Sequence, residues 1–402
     1  MQEITRQDKI NELSAWQNKD VIKVVCGVRR CGKSTLLAQY IAELQKNGVS
    51  KEQIISINLE NMQYEKLHDY HLLHDFLSSK LCENKFTYIF VDEIQQCLNF
   101  EKVIDSIHLN KNVDIYITGS NAYMLSGELA TLIAGRYVKI DMLPLSFKEY
   151  YSWFGKTEKS AKILFTEFLK FGSFPYISKV RKDSQEYKTY LEGIYSTILL
   201  KDVAQRENIR DISLLENIVK FLASSIGSPI SAKKVADTLI SAGRKISVNT
   251  VENYIRALVE SYIFYKVDRF DIKGRQHLKT LGKYYIVDTG LRNYLVAGKS
   301  QDLGHILENA VYFELLRRYK IVNIGKIDEN EIDFIVQDGQ NIAYFQVCAT
   351  LIDEATMKRE ITPLQKLNDN HPKFILSLDE AFVYDNIDGI ICKNIVEWFL
   401  EN

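Results

Sequence analysis

The chain has 402 residues, of which 46% are hydrophobic and 26% charged, with a formal net charge of −1. This is the composition of a globular chain of roughly two to four domains, and it excludes a disordered or fibrous one; the near-zero charge means that any nucleic-acid surface must be a local patch. Six cysteines (Cys26, Cys31, Cys82, Cys97, Cys348 and Cys392) form no C-x-x-C pair, so neither a zinc site nor a disulfide framework is expected.

Residues 3–17 read as an amphipathic helix, with Ile4, Ile10, Leu13 and Trp16 at near-helical spacing. The stretch is charged and lacks the apolar core of a signal peptide, and no later run reaches the ~18 apolar residues of a membrane span. A cytoplasmic protein without a membrane partner is therefore expected. A β-branched run, Val21–Val25, then ends at Gly27. Gly27, Gly32, Lys33 and Ser34 match G-x-x-x-x-G-K-[ST], and a helical run from Thr35 follows. Strand, glycine-rich loop and helix together are the setting of a P-loop. Glycines let the backbone N–H groups wrap an anion, and the helix adds the positive end of its dipole. Lys33 is expected at the β/γ-phosphates and the Ser34 hydroxyl on Mg²⁺. Gly27, Arg29, Arg30, Cys31, Gly32, Lys33, Ser34 and Thr35 are the candidate nucleotide-binding residues.

Ile54–Leu59 is a second strand, and His71–Leu81 a helix. Thr87–Gln95 (TYIFVDEIQ) reads as a Walker B strand. A continuous apolar run marks a parallel strand buried on both faces, and acids at its C-terminal end reach the ligand crevice of such a sheet. Asp92 is the expected second metal residue, with Ser34, and Glu93 the general base that polarises the attacking water. Val113–Thr118 is the next strand. Asn121, or Ser120, at its end is a candidate contact to the γ-phosphate or lytic water, an ordinary turn being the alternative. Arg136 precedes the last strand, Val138–Leu143, closed by Pro144. Its guanidinium could stabilise γ-phosphate charge in cis or across a subunit boundary, or could simply be a surface arginine.

The segments GVRRCGKSTLL, IFVDEIQ, ITGSNAYML and AGRYVKIDMLPLSFKEY together resemble the prokaryotic AAA+-type predicted ATPases that carry a C-terminal DUF4143 domain. The resemblance covers nearly the whole chain. It implies an ASCE-type P-loop fold, with a strand inserted between the P-loop strand and the Walker B strand, and ATP rather than GTP as nucleotide. The absence of an N/T-K-x-D guanine-reading signature agrees with this.

Residues 146–202, rich in aromatics and helix formers such as Ile163–Phe171 and Tyr187–Leu199, read as a helical lid or linker whose aromatic stripe is core. Residues 203–283 read as a winged helix: helices at Ile212–Ile226, Ala232–Leu239 capped by Ser231, and Val248–Ser261 capped by Ser247, then a hairpin of Ile263–Phe270 and a return strand from Gln276. Asn249, Asn253 and Arg256 fall on the polar face of the third helix, where a recognition helix meets base edges. Lys233, Lys234, Arg244, Lys245, Arg269, Lys273, Arg275, Lys279 and Lys283 supply nearby positive charge for duplex DNA. The other reading is a winged helix used for domain packing.

Residues 284–402 read as a separate α/β unit: a helix at Leu307–Tyr319 carrying Glu308 and Glu314, a strand at Asn330–Val336 with Asp333, and a strand at Ile342–Val347. This order resembles the restriction-endonuclease-like PD-(D/E)xK core, in which two acids hold Mg²⁺ and a lysine stabilises the attacking water or the phosphate. Here Gln346-Val347-Cys348 stands where that family has E-x-K. The missing charge predicts a degenerate domain that keeps the fold without nuclease activity and binds a protein partner instead. The fold class is thus α/β: an ASCE/AAA+-type P-loop NTPase parallel sheet (1–145), a helical segment, a winged helix and an endonuclease-like α/β domain. The expected function is slow Mg²⁺-dependent ATP hydrolysis coupled to movement of the winged helix. The alternatives are a non-hydrolysing ATP-bound DNA-binding regulator or scaffold, and an ATP-dependent nuclease.

Overall fold

The structure is a computed structural model that describes residues 4–122, 135–155, 159–205, 207, 209–274, 276–296, 303–380 and 386–401. The chain falls into two compact units, one of residues up to Pro144 together with Glu260–Tyr262, the other of Leu145–Val259 and Ile263 onward.

The first unit runs α1 (Gln7–Ala15), β1 (Ile22–Cys26), α2 (Lys33–Lys46), β2 (Ile54–Asn58), α3 (Tyr70–Ser78), β3 (Thr87–Asp92), α4 (Phe100–His108), β4 (Val113–Gly119) and β5 (Tyr137–Asp141). Its strands form one parallel sheet in the order β2-β3-β4-β1-β5. Strand β4 lies between β1 and β3, the insertion that the family resemblance implied. Every residue of β1, β3 and β4 is buried, which is why these segments read as near-continuous apolar runs rather than alternating ones. The charged residues within β1 and β4 neutralise each other. Lys23 of β1 pairs with Asp114 of β4, and Tyr116 donates a 2.9 Å hydrogen bond to the same carboxylate. A buried ion is tolerated when paired and hydrogen-bonded in this way.

The second unit begins with α5 (Phe147–Phe154), α6 (Ala161–Phe171) and α7 (Gln185–Thr197). Phe147 packs edge-on against Phe165, Phe168 and Phe399, so the aromatic stripe is core. The helical run does not stop at residue 202 but continues from α7 as a wide π-helical turn to Gln205. Next come α8 (Ile212–Ser224), β6 (Pro229–Ile230), α9 (Ala232–Ser241), α10 (Val248–Glu260), β7 (Phe264–Asp271) and β8 (Gln276–Ile286). Ser231 Oγ accepts from the Lys234 amide at 3.2 Å, and Ser247 Oγ from Thr250 at 3.1 Å; both are the caps the sequence predicts. The remainder is α11 (Thr289–Val296), α12 (Leu303–Arg318), β9 (Ile321–Ile327), β10 (Asn330–Asp338), β11 (Asn341–Val347), α13 (Glu354–Gln365), β12 (Lys373–Ser377), β13 (Asn386–Ile387), β14 (Ile390–Asn394) and α14 (Ile395–Leu400).

Among the described residues, the strands of this unit belong to one mixed sheet of nine, in the order β13-β14-β12-β11-β10-β9-β7-β8-β6. The β7–β8 hairpin is therefore not a free wing. Its strand β7 pairs in parallel with β9 at Arg269↔Ile324, Phe270↔Gly325 and Asp271↔Lys326. The boundary expected between 283 and 284 falls inside β8. A hairpin edge left open would expose unpaired N–H and C=O groups, and here the following α/β segment covers it.

Candidate functional site

The C-terminal ends of β1, β3 and β4 lie side by side: Cys26 is in register with Gly119, Val91 with Ile117, and Asn58 of β2 with Asp92. The loop after β1 closes over this edge. Gly27 is required by crowding, since a Cβ there would stand 2.0 Å from the Met142 carbonyl oxygen. Gly32 has φ +104° and caps α2, a conformation that costs only glycine nothing. Arg30 is also left-handed at φ +66°. These turns bring Lys33 back under its own loop. Its Nζ donates to the Gly27 and Val28 carbonyls at 3.0 and 3.2 Å, lies 3.8 Å from Glu93 Oε1, and is nearly buried. Ser34 is exposed and Thr35 half-buried in the first turn of α2.

The acid pair at the end of β3 is held by its neighbours. Thr118 of β4 donates its hydroxyl to Asp92 Oδ1 and accepts from the Glu93 amide at 2.9 Å. Asn58 Nδ2 donates to Asp92 Oδ2 at 2.8 Å. Glu93 itself is left-handed, φ +54°, which turns its side chain back over the strand end. Its Oε2 accepts from Gln95, whose amide also donates to Ser120 Oγ at 3.3 Å. Asn121 follows Ser120 and is buried. Lys33, Asp92, Glu93, Ser120 and the P-loop thus converge on one strand edge.

Four of the residues picked from the sequence behave differently. Cys31 turns its side chain inward and is fully buried, and burial raises its thiol pKa, so only its backbone faces the loop. Burial likewise pushes the Cys26 thiol up to about 12. The Arg29 guanidinium donates to Glu60 at 2.8 Å, and Arg30 is exposed. Arg136 lies at the wrong end of the sheet for action in cis. Its carbonyl accepts from the Ile22 amide at the start of β1, about 16 Å of strand from the P-loop at ~3.3 Å per residue, and its guanidinium pairs with Asp105 of α4 at 3.0 Å.

Three contributors were not legible beforehand. Thr118 and Asn58 read as ordinary strand-end residues. Arg6 reads as part of a solvated helix terminus, yet it is buried and donates to the Cys31 carbonyl at 3.4 Å and the Leu143 carbonyl at 3.1 Å. It ties the P-loop to the end of β5, and nothing in its local sequence signals this.

In the second unit, Asp333 of β10 and Glu308 of α12 meet, whereas Glu314 faces Arg318 of its own helix at 2.8 Å. Asp333 Oδ2 accepts from the Val347 amide at 2.9 Å, and its own amide donates to Gln346 Oε1 at 2.7 Å. Gln346 then donates to Glu360 at 2.7 Å. Cys348 is buried. Burial, with Glu308 alongside, raises the Asp333 carboxyl well above the usual carboxylate range. Lys283, expected on a basic DNA-facing surface, is instead buried among these acids. Burial alone would lower its pKa, but Glu308, Asp333 and Glu331 outweigh it and hold the ammonium above its ordinary value. Arg269 is also drawn inward, 4.0 Å from Glu331, and Lys273 pairs with Asp328 at 2.7 Å. Arg275 and the Lys279 side chain lie outside the described residues. Asn249, Asn253 and Arg256 are exposed on α10, opposite buried Val251, Ile255 and Leu258. Among the described residues no helix is long and apolar enough to cross a membrane.

Residues 19–151 match the family model described as an AAA domain. Residues 162–302 match a domain of unknown function, DUF8612, a different family from the C-terminal DUF4143 domain that the motifs had suggested. An uncharacterized protein of Haemophilus influenzae is 38% identical over 401 residues, 99% of each chain. An uncharacterized protein of Methanocaldococcus jannaschii is 33% identical over 394 residues, 91% of this chain and 84% of the other. A solved structure, the Walker-type ATPase of Pyrococcus abyssi, is similar with a TM-score of 0.52 at 15% identity, covering 73% of this chain and 95% of that one. The fold is that of an AAA-type P-loop ATPase in the N-terminal part, followed by a further mixed-sheet α/β region.

Proposed function

We propose that this chain, which belongs to the same family as the uncharacterized Haemophilus and Methanocaldococcus proteins, hydrolyses ATP in the presence of Mg²⁺. The observation that carries the reading is the convergence of a buried lysine and a buried glutamate, Lys33 Nζ and Glu93 Oε1 3.8 Å apart, at the mouth of a glycine-built loop. The loop amides from Gly32 to Thr35 and the Lys33 ammonium bind the phosphates. The Ser34 hydroxyl and the Asp92 carboxylate are hard oxygen donors of the kind Mg²⁺ takes, few in number because the ion keeps water and phosphate oxygens as its other ligands; when bound, the ion offsets phosphate charge. Glu93 accepts the proton of the attacking water. Thr118 and Asn58 hold Asp92 in place, and Asn121 orients the γ-phosphate or the water. Arg136, paired with Asp105 at the far end of the sheet, does not act on the nucleotide of its own P-loop. Equilibrium binding and steady-state turnover test this. Lys33→Ala is expected to lose ATP affinity, and unchanged affinity overturns the reading. Glu93→Gln is expected to keep affinity and lose about 10²–10⁴ in turnover; retention of full turnover removes Glu93 as base.

A second reading concerns duplex DNA. Its support is the exposed face of Asn249, Asn253 and Arg256 on α10, with Lys233, Lys234, Arg244 and Lys245 also exposed. The buried Lys283 and the ion-paired Lys273 no longer add to it. If α10 reads DNA, affinity falls steeply with salt, Arg256→Ala costs about 1–3 kcal/mol of binding, and duplex changes the Lys33-dependent ATPase rate. Salt-independent binding, or an Arg256→Ala variant indistinguishable from wild type, leaves these helices a packing role and turns the search to a protein partner.

A further inference from the structure

The carboxylates of Glu308, Glu331 and Asp333 enclose a single group. Lys283 reaches in from β8 and places its Nζ 2.7 Å from Glu308 Oε1, 2.7 Å from Glu331 Oε1 and 3.9 Å from Asp333 Oδ1. The Tyr285 hydroxyl, two residues on along the same strand face, donates to the same Glu308 oxygen at 2.6 Å. The Lys283 side chain is 3% exposed, so nearly all of its shell is supplied by the protein. In the endonuclease-like arrangement that the element order resembles, the space between an acid on the helix and the aspartate of the strand is where a divalent ion belongs. Here that space holds an ammonium at hydrogen-bonding distance, not the 2.0–2.1 Å of a Mg²⁺ ligand. Gln346, a neutral amide, is spent on the Asp333 amide and Glu360. Among the described residues no group of acids, histidines or cysteines is arranged to hold a metal.

We infer that Lys283 is the resident cation of this cluster, a built-in substitute for the metal that binds strand β8 to α12 and β10 and closes the site to divalent ions. The residues of a metal-dependent phosphodiesterase and the residues present here therefore disagree at the cation itself, and not only at the Gln346 and Cys348 positions. The inference is independent of the nucleotide reading, since no residue of the P-loop or of β3 takes part.

The test uses the full chain without nucleotide. Bound Mn²⁺ is measured by electron paramagnetic resonance in the wild type and in Asp333→Asn, and thermal unfolding is followed in Lys283→Met, Glu308→Gln and the double variant. The expected results are the same Mn²⁺ binding in wild type and Asp333→Asn, a lowered melting temperature in Lys283→Met, and partial recovery in the double variant, because the second change removes the carboxylate left uncompensated by the first. Mn²⁺ binding that Asp333→Asn abolishes overturns the inference, as does a Lys283→Met protein as stable as the wild type. A double variant no more stable than Lys283→Met overturns it too. Should Lys283→Met fail to fold alone, the double variant and the Mn²⁺ comparison still decide.

Discussion

Thr118 shows how much one hydroxyl can organise. It donates a hydrogen bond to Asp92 and accepts one from the Glu93 amide, so a single side chain on β4 fixes both acids at the end of β3. Valine has the same shape but neither bond. Thr118→Val leaves a buried amide and a buried carboxylate oxygen each one partner short, at a cost of about 1–3 kcal/mol for each such group. Urea denaturation is expected to show that loss. ATP affinity is expected to change less than turnover, because in the proposed site Lys33 and the loop amides, not β4, take the phosphates. Equal losses in affinity and turnover would instead mean that the whole strand edge had shifted.

Among the elements, the P-loop is held from outside as well as by its own turns. Gly27 lies against the Met142 carbonyl, and the Met142 amide donates to Cys26 at 2.7 Å, so the loop begins where β1 and the end of β5 touch. A methyl group at Gly27 has no room unless these two strands part. Gly27→Ala is expected to destabilise the first unit by about 1–3 kcal/mol, the usual cost of overpacking, and to weaken ATP binding as well. A variant with wild-type denaturation midpoint and affinity would show that the strand edge yields freely. The parallel strands were legible as largely apolar runs, each of β1 and β4 interrupted by a single charged residue, because both faces of β1, β3 and β4 are covered. Helix α10 was legible from its period, with Val251, Ile255 and Leu258 buried and Asn249, Asn253 and Arg256 exposed. Strand β9 was not read at all, because its half-buried polar residues Asn323 and Lys326 break the apolar pattern.

At the scale of the whole chain, the second unit is one sheet where the sequence suggested a separate winged helix and α/β domain. Its hairpin is joined to β9 along β7 and to α12 through Lys283 and Tyr285. A fragment of residues 203–283 is therefore expected not to fold cooperatively, since it keeps Lys283 and loses every acid that pairs with it, whereas residues 145–402 should give a cooperative transition. Circular dichroism during thermal unfolding distinguishes the two. A folded 203–283 fragment would show that the three helices and hairpin form a self-sufficient module.

The sequence alone determined what depends on short spacing: the glycine-built loop from Gly27 to Ser34, the acid pair Asp92-Glu93 at a strand end, and the neutral Gln346 and Cys348 on and just after the strand next to Asp333. In each, the acting groups lie within a few residues, and local backbone geometry decides where they point. Tertiary structure alone decided the partners of charged residues. Arg6 reaches a carbonyl 137 residues away, Arg136 falls at the far end of the sheet from its own P-loop, and Lys283 leaves the basic surface for a buried nest of carboxylates. A charge carries no mark of its partner along the chain. Coulomb attraction acts between whichever groups the sheet order and register bring together, and that order is set by the packing of strands far apart in sequence.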